Sequence, residues 1–332
     1  MNARVFISTT RPGLSRAELG ADGMWSVETL LHDVDVRCLA VDPHQPGTVW
    51  AGTQGAGLLR SADQGRTWQP VGLEGQIVKS IAISPSEPGR MMAGLKPPLV
   101  SASTDGGATW VELEAFRKIP SRPFWRSPAE PSGKAYVQSL AISPTEPNVI
   151  LAGIEVGAVV RSTDGGQTWQ GHRRGAVRDC HTLIFHAADG RYAYEAGGSG
   201  VGAAISQDGG ETWTSPKGLD RHYGWAVAAD PANPDVWYIS ASPGPRRAHS
   251  EKGIADAFIF RSCGGRWEKL GGGLPRPLNW LPYALLTDTS APGHLYAGLK
   301  NGEVWHSADS GDTWQRLPLS LGRIEQALVM LR

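Results

Sequence analysis

The sequence predicts an all-β fold: a single seven-bladed β-propeller with its ring closed by the C-terminal strand joining the N-terminal blade. Three observations predict it. A phrase of the form Ser-x-Asp-x-Gly-x-Thr-Trp recurs along the chain. Its tryptophans fall about one blade apart, a four-stranded blade taking about 40–45 residues. Short β-branched and aromatic runs with Gly and Pro punctuation fill the gaps, and no useful window shows helical periodicity.

Five copies of the phrase are intact. They run from Ser61 to Trp68, Ser103 to Trp110, Ser162 to Trp169, Ser206 to Trp213 and Ser307 to Trp314. Decayed copies stand at Ala21 to Trp25 and Ser262 to Trp267. The tryptophan spacings are 43, 42, 59, 44, 54 and 47 residues. The short ones match one blade each, and the long ones mark insertions. The stretches up to Trp25 and beyond Trp314 together supply 43 residues, one further blade. Blades are therefore expected at 36-72, 77-115, 136-171, 180-216, 224-270 and 281-319. The seventh joins 324-332 to 1-31, with Ile324 to Leu331 as its inner strand. Insertions are expected at 116-135 and 242-256.

The strand grammar repeats with the phrase. Inner strands are read at Cys38 to Val41, Ile81 to Ile83, Leu140 to Ile142, Leu183 to Phe185, Ala226 to Ala228 and Ala284 to Leu286. Several lead into Asp-Pro or Ser-Pro turns, such as Asp42-Pro43 and Ser143-Pro144. Second strands follow, as at Val149 to Gly153. The third runs into the phrase and the fourth leaves from its Trp. The phrase itself is a turn. Its Asp is expected to accept backbone N–H groups two and three residues on, its Gly to permit positive φ, and its Trp to bury beneath.

Composition limits the function classes. The 332 residues carry 32 Lys+Arg and 32 Asp+Glu, which argues against a generally polybasic nucleic-acid binder. Hydrophobic content of 40% with 19% charged argues against disorder. Three cysteines cannot make a disulfide framework, so a reducing compartment fits. The N-terminus has no signal-peptide pattern, and no stretch of about 18 apolar residues exists. A cytoplasmic monomer with no membrane partner is the expectation.

The repeated phrase resembles the Asp-box, or BNR repeat. It is shared by sialidases, xyloglucanases, sortilin-type receptors and photosystem II assembly factors. The resemblance covers nearly the whole chain and implies a propeller scaffold. It leaves function open among enzymes, receptors and scaffolds. A sialidase resemblance would require an Arg-Ile-Pro motif before the first box, and this chain has Arg117-Lys118-Ile119-Pro120 after two intact boxes. A xyloglucanase resemblance implies two propellers around a cleft, and one propeller is read here.

In a propeller, the loops entering inner strands share a face with the loops between second and third strands, opposite the boxes. The first set places Arg37, Lys79, Gln138, His181, Trp225 and Tyr283 around the channel mouth. The second adds Lys96, Glu155, Glu195, Arg246, Arg247, His249 and Lys300. Trp125, Trp225 and Trp280 fall on or beside the same loops, where they would either stack a sugar ring or partner side chain or plug the channel. Insertion 116-135 interleaves Arg117, Lys118, Arg122 and Arg126 with aromatics. Positive charge gathered there would attract an anionic or carbohydrate small molecule, or an acidic protein partner.

Two function classes follow. One is a binding or scaffold protein using that face. The other is a glycoside hydrolase or lyase, with Glu155, Glu195 and His181 as catalytic candidates and Glu155 and Glu195 facing one pocket. No cofactor is required, but a divalent metal is an option, with His181, His222 and His249 as candidate ligands.

Overall fold

The computed structural model describes residues 4–128, 133–198 and 200–331. Residues 129–132 of the first insertion lie outside them. Seven antiparallel sheets stand in a ring, each winding outward from an inner strand. Inner strands are Val36–Val41, Ile77–Ile83, Val137–Ile142, Cys180–Phe185, Tyr223–Ala229 and Pro282–Thr287 in blades II to VII. Leu328–Leu331 serves blade I, followed outward by Val5–Thr9, Leu14–Leu19 and Trp25–Leu30. Each inner strand touches the next all the way around.

The closure is built from both ends of the chain, as expected. Val5 pairs Leu331, Ile7 pairs Val329 and Ser8 pairs Leu328 in antiparallel register. Thr9 extends the seam. Its carbonyl accepts the Glu325 amide at 2.9 Å, and its hydroxyl accepts the Gln326 and Ala327 amides at 3.0 and 3.1 Å.

Blades IV and V differ from the four-strand expectation. Their fourth strands shrink to single bridges, Arg161 with Gln170 and Ile205 with Thr214. Gly171 and the Ser215-Pro216 pair end these ladders, proline because it has no N–H to continue one.

The boxes are turns with a fixed hydrogen-bond plan. In blade II the Ser61 hydroxyl donates to Asp63 at 2.7 Å and accepts the Gly65 amide at 2.8 Å. Asp63 accepts the Thr67 amide and hydroxyl at 2.9 and 2.6 Å. The Trp68 indole N–H closes on the Gly65 carbonyl at 3.0 Å. The plan repeats in blades III, IV, V and VII. The main backbone partner is four residues on, because the Thr amide and hydroxyl chelate the carboxylate together.

These bonds favour the ionised Asp. The Thr109 hydroxyl and amide hold Asp105 down to about 2, and Thr313 does the same for Asp309. A depressed carboxylate contributes stability above its unfolded value near 4, and that contribution is lost as pH falls through the folded one. The melting temperature is expected to fall between about pH 4 and pH 2. The fall should be shallower in the Asp105→Asn, Asp309→Asn double variant. Equal slopes for both proteins in a pH series of thermal melts would contradict this.

Arginines on third strands reach the next blade's box. Arg16 donates to the Gln64 carbonyl at 2.8 Å, Arg161 to Gly209 at 2.8 Å and Arg261 to Ser310 at 2.9 Å. Each acceptor is the residue after the box Asp. Between blades the packing is apolar and close. At Gly94 an added Cβ would lie 2.7 Å from the Val137 side chain of blade IV, and at Gly153 it would run into the Cys180 sulfur of blade V. That explains the repeated Ala-Gly ending of second strands.

Candidate functional site

Six inner strands share one irregularity. In blades II to VII the register slips near the strand start, at the positions of Arg37, Lys79, Gln138, His181, Trp225 and Tyr283. A bulge leaves its extra residue out of the ladder and re-aims its side chain. The six bulges lift these side chains out of their ladders at the same end of six neighbouring inner strands.

Blades V to VII show the convergence. The His181 ring lies 4.6 Å from that of Trp225 and 4.9 Å from that of Tyr223. Trp225 in turn meets His249 at 4.8 Å and Tyr283 at 5.1 Å, both edge to face. The two His249 nitrogens are bound by tyrosine hydroxyls, Tyr223 at 2.7 Å and Tyr283 at 2.6 Å. Burial lowers His249 to about 4 and pushes both tyrosines well above their ordinary value. Trp225 and His249 are the half-buried members of this cluster.

Charges surround the aromatic group. Lys300 is 3% exposed and donates to Glu251 and to the His249 carbonyl, both at 2.7 Å. Arg323 also reaches Glu251, at 2.8 Å. Arg37 bonds Asp35 at 2.8 Å, and Arg11 lies 3.4 Å from the same carboxylate. The Lys79 ammonium sits 4.0 Å from the Tyr136 ring centroid. Lys96 and Gln138 are half-buried.

Beside Trp225 lies an acidic cluster. One ligand-type atom from each of Glu155, Asp179 and His181 lies within 4.8 Å of the others. His181 Nδ1 is 2.7 Å from the Gly224 carbonyl. A carbonyl only accepts, so Nδ1 carries the proton. Nε2 then faces Asp179 at 3.6 Å. Burial lowers the His181 value, and the Asp179 charge opposes that shift. Asp179 accepts the Val156 amide at 3.3 Å. Val156 is a β-branched residue with φ of 43°, a strained position that fixes the loop carrying Glu155.

Several expectations are corrected. Glu195 does not face Glu155 across an open pocket. It lies within strand Ala193–Gly197, fully buried, and accepts the Val177 amide at 2.5 Å. Burial raises it to about 8. Trp125 lies beside the second-to-third-strand loop of blade IV, where an added Cβ on Gly157 would sit 3.0 Å from its ring, but it is buried rather than presented for stacking. The insertion folds back, and Trp125 packs, 4% exposed, against Phe116 in the core cluster around blade IV. His222 is exposed, and His249 has both nitrogens engaged by tyrosines, so neither joins His181 as a ligand. Trp280 is half-buried beside Gly253 and packs against the same core cluster as Trp225. Arg246 and Arg247 lie exposed on the short helix Pro245–Ala248, with Arg247 paired to Asp256. The insertion's cations are answered locally: Arg117 by Glu112, Arg122 by the Pro98 carbonyl and Arg126 by the Pro123 carbonyl.

Tyr223 was not singled out by the sequence reading. Tyr223 sits two residues before Trp225, a spacing that would have flagged it once the bulge was known.

Ring and repeated turn together define a seven-bladed propeller of the Asp-box type. The sequence profile of the BNR/Asp-box repeat matches residues 160–170, in the third-strand turn of blade IV. A xyloglucanase from Paenibacillus is 28% identical over 212 residues, covering 54% of this chain and 20% of its own. This chain thus spans about a fifth of the curated relatives it matches. Among solved structures, the GH74 xyloglucanase from Xanthomonas campestris superposes with TM-score 0.63 at 19% identity, over 85% of this chain and 45% of that one. YCF48 bound to D1 peptide superposes with TM-score 0.55 at 18% identity, over 85% and 80%. These likenesses establish the shared fold. No helix among the described residues is long and apolar enough to cross a membrane.

Proposed function

We propose that the channel mouth binds a carbohydrate, with the half-buried face of Trp225 stacking a sugar ring. The observation that supports this most is the aromatic nest around Trp225, locked from behind by the Tyr223–His249–Tyr283 hydrogen bonds. A rigid aromatic platform beside charged and hydroxyl groups costs little ordering on binding. The sequence similarity to a xyloglucanase favours a glycan over other ligands.

Calorimetry against neutral xyloglucan oligosaccharides and acidic oligosaccharides tests the reading. Trp225→Ala is expected to weaken binding at least about tenfold, the equivalent of about 1.4 kcal/mol. The variant also loses ring contacts to His181, His249 and Tyr283, so its melting temperature is expected to fall, and binding is compared at a temperature where both proteins are folded. No affinity for any glycan, or equal affinity in the variant, would remove this proposal. Capture of a peptide at the same face would replace it with a protein-binding role.

The tight grouping of Glu155, Asp179 and His181 favours a second reading, hydrolysis or elimination on the bound glycan. It requires turnover on some member of a glycoside panel, abolished in Glu155→Gln.

A further inference from the structure

The geometry points to a binding site for one first-row divalent metal ion, Mn2+ or Zn2+ in class, held by Glu155, Asp179 and His181 where blades IV and V meet the channel mouth. Four observations argue for it.

The first is the direction of the imidazole. Its Nδ1–H is committed to the Gly224 carbonyl at 2.7 Å, which leaves Nε2 aimed at the carboxylate of Asp179. A ligating histidine almost always donates its other ring N–H to a carbonyl or carboxylate in this way.

The second is the spacing. Nε2 and the Asp179 oxygen are 3.6 Å apart. A charge-assisted N–H···O bond would close to about 2.7–2.9 Å. Two ligands sharing a metal at about 2.0–2.2 Å stand roughly 3–3.5 Å apart. The observed separation is nearer the second geometry, and Glu155 brings a third ligand atom within 4.8 Å.

The third is burial. The His181 side chain is 2% exposed and that of Asp179 15%. Water is therefore a poor alternative partner for Nε2. Asp179 is itself anchored, by the Val156 amide and by close packing on Gly198, where an added Cβ would lie 1.9 Å from its carboxylate. Only glycine leaves room for the carboxylate there.

The fourth is the donor set. One imidazole nitrogen with two carboxylates suits manganese or zinc better than calcium or magnesium, which prefer all-oxygen shells. Three protein ligands leave further coordination positions to fill. An ion there would offer a contact to sugar hydroxyls or a sugar carboxylate, a consequence that rests on the carbohydrate reading above. The ion site does not.

Isothermal titration of the chelator-treated full chain with MnCl2 or ZnCl2 alone provides the test, with MgCl2 and CaCl2 as comparators. One equivalent of Mn2+ or Zn2+ is expected, bound at least about tenfold tighter than the comparators, with the melting temperature raised by the ion. Asp179→Asn and His181→Gln are each expected to weaken it at least about tenfold and to remove the thermal shift. If His181→Gln misfolds, broadening of the Mn2+ electron paramagnetic resonance spectrum in wild type but not in Asp179→Asn carries the same information. Absence of binding in wild type would overturn the site, as would undiminished binding in both variants. Either result would leave a bridging proton between His181 and Asp179. The ion is read directly, so a failure of glycan binding leaves this test intact.

Discussion

A chain ending at Leu321 is expected to lose its cooperative thermal transition. The eleven residues removed include Ile324, Leu328 and Leu331, each no more than 3% exposed. Burying an aliphatic side chain of this size contributes about 1.5–3 kcal/mol, so three amount to roughly 5–9 kcal/mol. Net stability of a domain is itself only about 5–15 kcal/mol. The seam's hydrogen bonds go too. Val5–Thr9 would become an open inner edge, with buried amides left without partners. Near-UV circular dichroism and a urea melt are the measurements. Retention of a sharp transition, shifted by only a few degrees, would show that the ring does not need its closing strand.

The second large effect is expected at Glu195. Burial lifts its carboxyl to about 8, and no second acceptor bond offsets this at Oε2. The sign follows from the direction. The folded chain holds a proton that the unfolded chain releases near 4.5, so stability is fully present below that value and is lost as pH rises through 8. The loss spans roughly 4–5 kcal/mol by the linkage of pKa to free energy. Glu195→Gln keeps the shape and the acceptor for Val177 without the charge. It should match wild type near pH 5 and be the more stable protein at pH 8.5. Parallel urea melts at the two pH values decide it. A constant difference between the proteins would mean that folded Glu195 is already ionised at pH 5 and that burial does not raise it.

The ring was legible because its signal is periodic. Each box fixes a turn by the same Ser, Asp, Gly, Thr and Trp, so tryptophan spacing reads directly as blade spacing. Strand starts were legible in the same way, which is why Arg37, Lys79, Gln138, His181, Trp225 and Tyr283 were grouped before their bulges were seen. What failed was depth. Glu195 was placed in a loop, but its strand runs on to Gly197 and carries it into the inter-blade core. Trp125 was placed by its charged neighbours, yet those arginines bond nearby carbonyls and an acid while the indole turns inward. Insertions lack a period, so no spacing could report the fold-back. Asp179 gains its role only through the loop of the preceding blade, where Val156 reaches across to it. That is a contact between blades, and no repeat unit encodes it.

The arginine contacts from third strands to neighbouring boxes have a direction: each runs from one blade to the next blade along the chain. A box amide should therefore be shielded from hydrogen exchange in proportion to the integrity of the blade before it. Replacing Arg161 would then hasten exchange at Gly209 and its neighbours in blade V more than in blade IV, where the substitution lies. Damage would travel one way around the circle, as when a row of leaning tiles loses one of its members.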